Sequence, residues 1–155
     1  MEIKLLVVGK TKNKELISLI SNYVKRIKLY NKFQIIEVNS TKSKKNNEND
    51  FKKIESENIL KKVKNNDLLI LLDEKGKIYS SREFANFIKI KTQENKTIIF
   101  VIGGAFGFSS ELYSKSHGLI SLSNMTFSHQ IIRLFFTEQL YRAFTILNNH
   151  PYHND

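Results

Sequence analysis

Imidazole and guanidinium groups gather near the end of this 155-residue chain. His129 and Arg133 lie four residues apart, as do Glu138 and Arg142, and that spacing sets each pair on one helix face. The closing His150-Pro151-Tyr152-His153 is aromatic and basic, unlike an ordinary frayed terminus. Arginine occurs only as Arg26, Arg82, Arg133 and Arg142. Two of the four fall in this late segment, which biases it toward planar, bidentate phosphate contacts. Glu138 with Arg142 also reads simply as a surface ion pair. A second chemistry-bearing group is Asp73-Glu74, suited to holding a polar group of a ligand or to capping a turn, with Glu74 read as the cap. The third is Gly103-Gly104 with Gly107, where the missing Cβ lets the chain turn sharply and a ligand approach the backbone. An ordinary tight turn is the plain alternative there.

Those glycines end the run Thr97 to Ile102, TIIFVI, whose apolar continuity predicts a strand buried on both faces. Ligands of open α/β sheets bind beyond the carboxyl ends of the strands, so a small-molecule site is expected at Gly103–Gly107. The preceding chain predicts the scaffold. Ile3–Gly9 reads as a buried strand, Lys14–Tyr30 as a helix with one broad apolar face, and Phe33–Val38 as a second strand. This β-α-β opening begins a layered α/β domain. Ser40–Asp50 is polar and low in complexity and reads as a solvated loop, with Lys42, Lys44 and Lys45 as weaker candidates for phosphate contact. A helix is expected over Phe51–Val63, a strand over Asp67–Asp73 and a tight polar turn over Asp73–Lys77. Ser80 and Glu83 have capping-box spacing at the head of a helix over 81–94. If the strands before Lys77 and Gly103 are neighbours, their two turns line one crevice.

Ser109 or Ser110 caps a short helix to Ser116. Gly118–Ser123 predicts a fifth strand running into Asn124-Met125-Thr126-Phe127, a loop of few charges suited to a flat or apolar ligand, though Met125 and Phe127 also fit as core residues. Ser128–Asn148 is the longest helical pattern, with Ser128 as N-cap. Its stripe of Ile132, Phe136, Leu140, Phe144 and Leu147 is widened by Ile131, Leu134, Phe135 and Tyr141. A helix this apolar must bury more than one side, between layers or on a second subunit.

Composition bounds the classes. The length suits one domain, and 41% hydrophobic residues suffice for a core. With no cysteine, disulfides and thiolate zinc sites are excluded. No apolar run approaches the roughly 18 residues of a membrane span, and the start, with its acidic Glu2, is not that of a signal peptide. A cytoplasmic protein is the expectation. The net charge of +10 favours a polyanionic partner, although a lysine-rich composition accounts for part of it.

An ordered set of residues then carries a resemblance over essentially the whole chain, densest from Leu72 onward. It comprises Leu72-Asp73 with Gly76-Lys77 and Ser80-Ser81, then Phe100 through Gly104 with Gly107, and Leu122-Ser123 with Met125-Thr126-Phe127 and His129. Arg133, Glu138-Gln139, Tyr141-Arg142-Ala143 and Pro151-Tyr152-His153 complete it. The chain resembles the large-subunit rRNA pseudouridine N3-methyltransferases, the small members of the SPOUT methyltransferase superfamily. Ala105 and Ser128 stand where proline is common in that family, and neither change removes a functional side chain.

The resemblance implies a single α/β domain of three layers, with a mostly parallel sheet, helices on both faces and a C-terminal trefoil knot. It implies S-adenosylmethionine as cofactor, cradled by Leu72, Gly103 and the run Leu122, Ser123, Asn124, Met125, Thr126 and Phe127. A homodimer is implied, which gives the last helix its partner, and no metal. The substrate would be a pseudouridine in the helix 69 loop of 23S rRNA within the ribosome. N3–H of that base must lose a proton, which a neutral imidazole or a carboxylate can accept. His153 is the expected base or orienting group, Tyr152 stands beside it, Arg142 fixes a phosphate or uracil oxygen, and His129 is the second candidate. The rival readings are a related methyltransferase acting on a tRNA base, and a non-catalytic basic protein of the ribosome with an empty pocket.

Overall fold

The computed structural model describes residues 1–40 and 47–155. The candidate contacts Lys42, Lys44 and Lys45 lie outside the described residues. Five strands, β1 (Glu2–Val8), β2 (Lys32–Val38), β3 (Leu68–Ile78), β4 (Ile98–Ile102) and β5 (Gly118–Ser121), form one sheet in the order β2-β1-β4-β3-β5. Every pairing is parallel. Parallel sheets need cover on both faces, and alternate side chains of each strand supply two cores. Ile3, Leu5, Ile98, Phe100 and Ile70 face one side; Leu6, Val8, Ile99, Val101 and Leu71 face the other. This is why the strands read as unbroken apolar runs rather than as alternating ones.

Helices α1 (Lys14–Ile27), α3 (Ser81–Gln93) and α5 (Ile131–Leu147) cover the first face. Helices α2 (Glu48–Leu60) and α4 (Ser110–Lys115) cover the second through Ile59 and Leu112. The result is the expected three layers. α5 packs against both α1 and α3 and reaches the sheet through Phe136, whose ring centroid lies 4.8 Å from that of Phe100. Burying one such side chain contributes about 1.5–3 kcal/mol. The stripe expected along α5 is the buried one at Phe136, Leu140 and Phe144, whereas Ile131 and Phe135 remain 40% and 37% exposed.

The capping box at Ser80 and Glu83 forms, and Ser109 caps α4. Elsewhere the structure differs from expectation. α2 starts at Glu48, inside the expected loop, because Asn47 and Asp50 build a capping box of their own. The polar stretch Asp73–Lys77 is no simple turn: β3 runs on to Ile78, and Leu72 and Lys77 both align with Ile120 of β5. Residues 73–76 are therefore looped out between two paired stretches of one strand. Ser128 does accept a hydrogen bond from the Ile131 amide at 3.2 Å, but regular helix begins only at Ile131, with Gln130 at the cap position.

Candidate functional site

Because β4 lies between β1 and β3, and β5 beside β3, the bends after Leu72, Ile102 and Leu122 emerge side by side at the carboxyl edge of the sheet. Together they wall a cavity of about 640 Å³. Leu72, Gly103, Leu122, Ser123, Met125, Thr126 and Phe127 all line it, and His129 closes one side. Asn124 does not; it sits in the exposed bend of the same loop. The loop is shaped locally. Ser121 Oγ donates to the Ser123 carbonyl at 2.8 Å, and Ser123 Oγ accepts from the Met125 amide at 2.9 Å. Met125 is 74% exposed, so its core alternative does not hold.

The glycine turn is conformationally demanding at Gly107, whose φ of +78° lies in the left-handed region. Behind Gly104 sits the buried carboxyl of Glu55, its pKa raised by burial. Across the cavity, Asp73 is fixed from both oxygens. Oδ1 accepts the Lys75 amide at 2.8 Å, and Oδ2 accepts the hydroxyl of Tyr113. Burial, then this bond, pushes the Tyr113 phenol well above its usual value, so it stays a donor. Tyr113 was not foreseen: it stands in the short α4 with no motif around it, and only the unmet need of Asp73 for a partner points to it.

His129 is half-buried, with its ring among the cavity residues. Burial lowers its pKa, and the nearby charges of Arg133 and Lys12 add to the effect. The imidazole is therefore neutral at pH 7 and carries a lone pair able to accept a proton. Arg133, one turn on, is not a phosphate contact. It is 1% exposed and donates to the carbonyls of Val8 (2.8 Å), Gly9 (3.0 Å) and His129 (3.0 Å) and to Thr11 Oγ1 (2.9 Å). Three backbone carbonyls and one hydroxyl hold this buried cation directly, and the charge of Glu37 acts on it from beyond ion-pair distance.

A family model described as predicted SPOUT methyltransferase matches residues 1–153. The chain belongs to the SPOUT methyltransferase family. A protein of Flavobacterium psychrophilum named ribosomal RNA large subunit methyltransferase H is 52% identical over 156 residues, covering 99% of each chain. One of the same name from Phocaeicola vulgatus is 48% identical, covering both chains fully. Among solved structures, a probable methylase family protein of Haemophilus influenzae superposes with a TM-score of 0.54 at 16% identity, over 99% of this chain and 70% of that one. A probable methyltransferase of Bordetella pertussis gives 0.54 at 10%, over 92% and 96%. Both support the fold alone.

The remaining SPOUT candidates stand apart from the cavity within one chain. Arg142 lines a second cavity, of about 780 Å³, which shares only the wall Ile120–Ser123 and Phe127 with the first. Tyr152 and His153 do not line the first cavity; the tail packs instead on α5 and α1. Of the expected catalytic residues, only His129 therefore lies on this cavity in the chain as described. The physical reason is a polar network. Glu138 Oε1 accepts from Arg142 Nε at 3.1 Å and Nη2 at 2.5 Å, and from the Tyr152 hydroxyl at 3.0 Å. Tyr152 also meets the Tyr23 hydroxyl at 3.2 Å. Burial, then these two partners, raises the Tyr152 pKa far above normal. The Glu138–Arg142 pair is thus part of a half-buried scaffold rather than an isolated surface pair.

His153 has a defined tautomer in this scaffold. Arg142 Nη1 lies 3.1 Å from its Nδ1, and a guanidinium only donates, so Nδ1 accepts. Nε2 then carries the proton and donates to Asp155 Oδ1 at 2.9 Å. Bonds from Arg82 and then His153 hold the Asp155 carboxyl down to about 2. Both nitrogens of His153 are engaged, which suits an orienting group and leaves no free lone pair for a base.

Proposed function

We propose that this protein is an S-adenosylmethionine-dependent methyltransferase of large-subunit ribosomal RNA, acting at N3 of a pseudouridine in the helix 69 loop of 23S rRNA within the ribosome. The observation that carries the reading is the single cavity opened by three adjacent strand ends. Full-length identity of 48–52% to proteins named as large-subunit rRNA methyltransferases supports the substrate class.

The cavity suits the cofactor. Its volume falls in the range of roughly 300–1,000 Å³ usual for small-molecule sites. Asp73 and Glu74 offer negative charge to an ammonium or sulfonium, and Met125 and Phe127 offer apolar contact. Leu72, Gly103 and the loop 122–127 would hold it. When bound, the cofactor supplies a methyl group already activated on sulfur, chemistry that requires no metal. Among the described residues no cluster of metal-ligating side chains occurs.

The chain itself must orient the base and take its N3 proton. His129, neutral and free of ring hydrogen bonds among the described residues, is assigned that proton. His153, Tyr152 and Arg142 are assigned orientation of the RNA. A homodimer belongs to the same reading, since a second copy would cover exposed Ile131, Phe135, Phe127 and Leu19. So does a C-terminal trefoil knot, which the match to the SPOUT family model supports. The described residues include no helix able to cross a membrane, and ribosomal RNA as substrate supports a cytoplasmic location.

The deciding experiment is methyl transfer from labelled cofactor to ribosomes, free 23S rRNA and tRNA in parallel. Label in the large-subunit rRNA is expected; label only in tRNA, or no calorimetric binding of the cofactor, overturns the proposal. Two variants refine the roles. His129→Gln is expected to lower kcat by roughly a hundredfold, within the usual range for a general base. Because the His129 pKa is depressed, the wild-type rate should hold on the alkaline side and fall only on the acid side of the ordinary imidazole range. A pH–rate profile checks this: the acid limb should vanish in His129→Gln, and its persistence would remove His129 from the role. His153→Ala is expected to cut turnover by about a hundredfold through misplacement. Cofactor binding should be unchanged by calorimetry, and unaltered turnover would exclude the residue.

A further inference from the structure

We propose that the loop joining β1 to α1 is a phosphate-contact platform, on which Lys10, Lys12 and Lys14 seat the RNA strand leading into the cavity. The proposal rests on RNA being the substrate, as argued above, and concerns where its backbone lies.

Three observations carry it. The first is position. Val7 of β1 is paired with Ile102 of β4, so Gly9 and Lys10 leave the sheet at its carboxyl edge beside the glycine turn that walls the cavity. The second is charge. Lys10, Lys12 and Lys14 are exposed, and among the described residues none has a carboxylate within ion-pair distance. Of the lysines on the cavity wall, Lys52 is neutralised by Glu48 at 3.2 Å, whereas Lys75 has no ion-pair partner among the described residues and adds to the same positive rim.

The third is rigidity. Gln130 Nε2 donates to the Lys10 carbonyl and Gln130 Oε1 accepts from the Lys12 amide, both at 3.1 Å. Buried Arg133 grips Gly9 and Thr11, and Asn13 caps α1 through the Leu16 amide at 2.8 Å. Backbone atoms at both ends of the loop are therefore tied to the same helical turn that presents His129. A loop fixed in this way loses little freedom when it binds, and it holds its charges at a set separation from the reacting position. Phosphate contacts of this kind fix register without reading sequence.

The test is a charge-reversal pair, Lys10→Glu with Lys14→Glu, chosen because the charge of Lys12 also acts on His129, compared with Lys32→Glu and Lys96→Glu at the amino edge of the sheet. Binding to purified large ribosomal subunits is measured across a salt series, alongside methyl transfer and cofactor calorimetry. The platform pair is expected to raise KM for the subunits about tenfold at moderate salt and to flatten the salt slope by about 1.5, as for two lost phosphate contacts. Its kcat at saturation and its cofactor affinity should stay within about twofold, because neither lysine enters the cavity. The amino-edge pair should leave the slope unchanged. Equal loss in both pairs, or an unchanged slope in the platform pair, overturns the proposal. Normal subunit binding without methyl transfer by the wild type would instead overturn the functional reading while leaving the platform to be judged by its slope.

Discussion

Gly76→Ala is expected to disable the protein, although residue 76 is not a cavity-lining position. A Cβ there would lie 2.5 Å from both the carbonyl carbon and the nitrogen of Ile120, and 2.6 Å from the carbonyl carbon of Leu119. These are backbone atoms, so no rotamer change relieves the clash. The strand being pushed is β5, which runs directly into the loop 122–127. Overpacking of this kind costs about 3 kcal/mol. For a chain of this length that lowers the melting temperature by about 6–12 °C. Cofactor affinity should fall as well, by more than about tenfold, if 1.4 kcal/mol of that strain is relieved by moving the loop. Thermal melts and calorimetry measure both, with Lys75→Ala as the neighbouring control. An unshifted melt would mean that the crossing is looser than described.

Arg133→Met should destabilise by a similar or larger amount, for a different reason. The guanidinium satisfies four oxygens at the end of β1 and the head of α5 while being 1% exposed. Methionine fills the volume, but it strands those acceptors away from water. Losing hydrogen bonds from a buried charge costs about 3–5 kcal/mol in comparable settings. Urea denaturation gives the value. Arg133→Lys keeps the charge but not the planar fork, and should recover only part of it. Amide exchange in residues 9–13 should accelerate in both variants. Full stability in Arg133→Met would show that water or a relaxed backbone satisfies those carbonyls.

The same two positions mark where the sequence was and was not readable. Strands such as Leu68–Leu72 and Ile98–Ile102 were legible because burial on both faces leaves unbroken apolar runs. The bends after them were legible because glycine and polar residues end those runs abruptly. The second half of β3 was not. Its residues, DEKGKI, are turn-like in type, and the last two, Lys77 and Ile78, pair only because β5 lies alongside, a tertiary fact without local signature. Arg133 was misread for a related reason: arginine is rarely buried, and nothing at 133 announces the three distant oxygens of Val8, Gly9 and Thr11. His129 entered only as the second candidate implied by the family resemblance, and its place on the cavity wall became visible only in the fold. The engagement of both nitrogens of His153 could not be foreseen, because it depends on Arg142 and Asp155 converging from helix and tail.

The placement of β4 bears on how the chain is made. It lies between β1 and β3, both of which leave the ribosome before it. Until about residue 102 has been synthesised, the nascent protein holds a β1–β2 ribbon and a lone β3, each with an apolar flank awaiting the same missing strand. Such unpaired flanks are sticky, and closing them requires contacts remote in sequence, which form slowly. Chains stopped before β4 should therefore aggregate rather than accumulate as a stable half, and the strand Ile98–Ile102 acts as the keystone of the sheet.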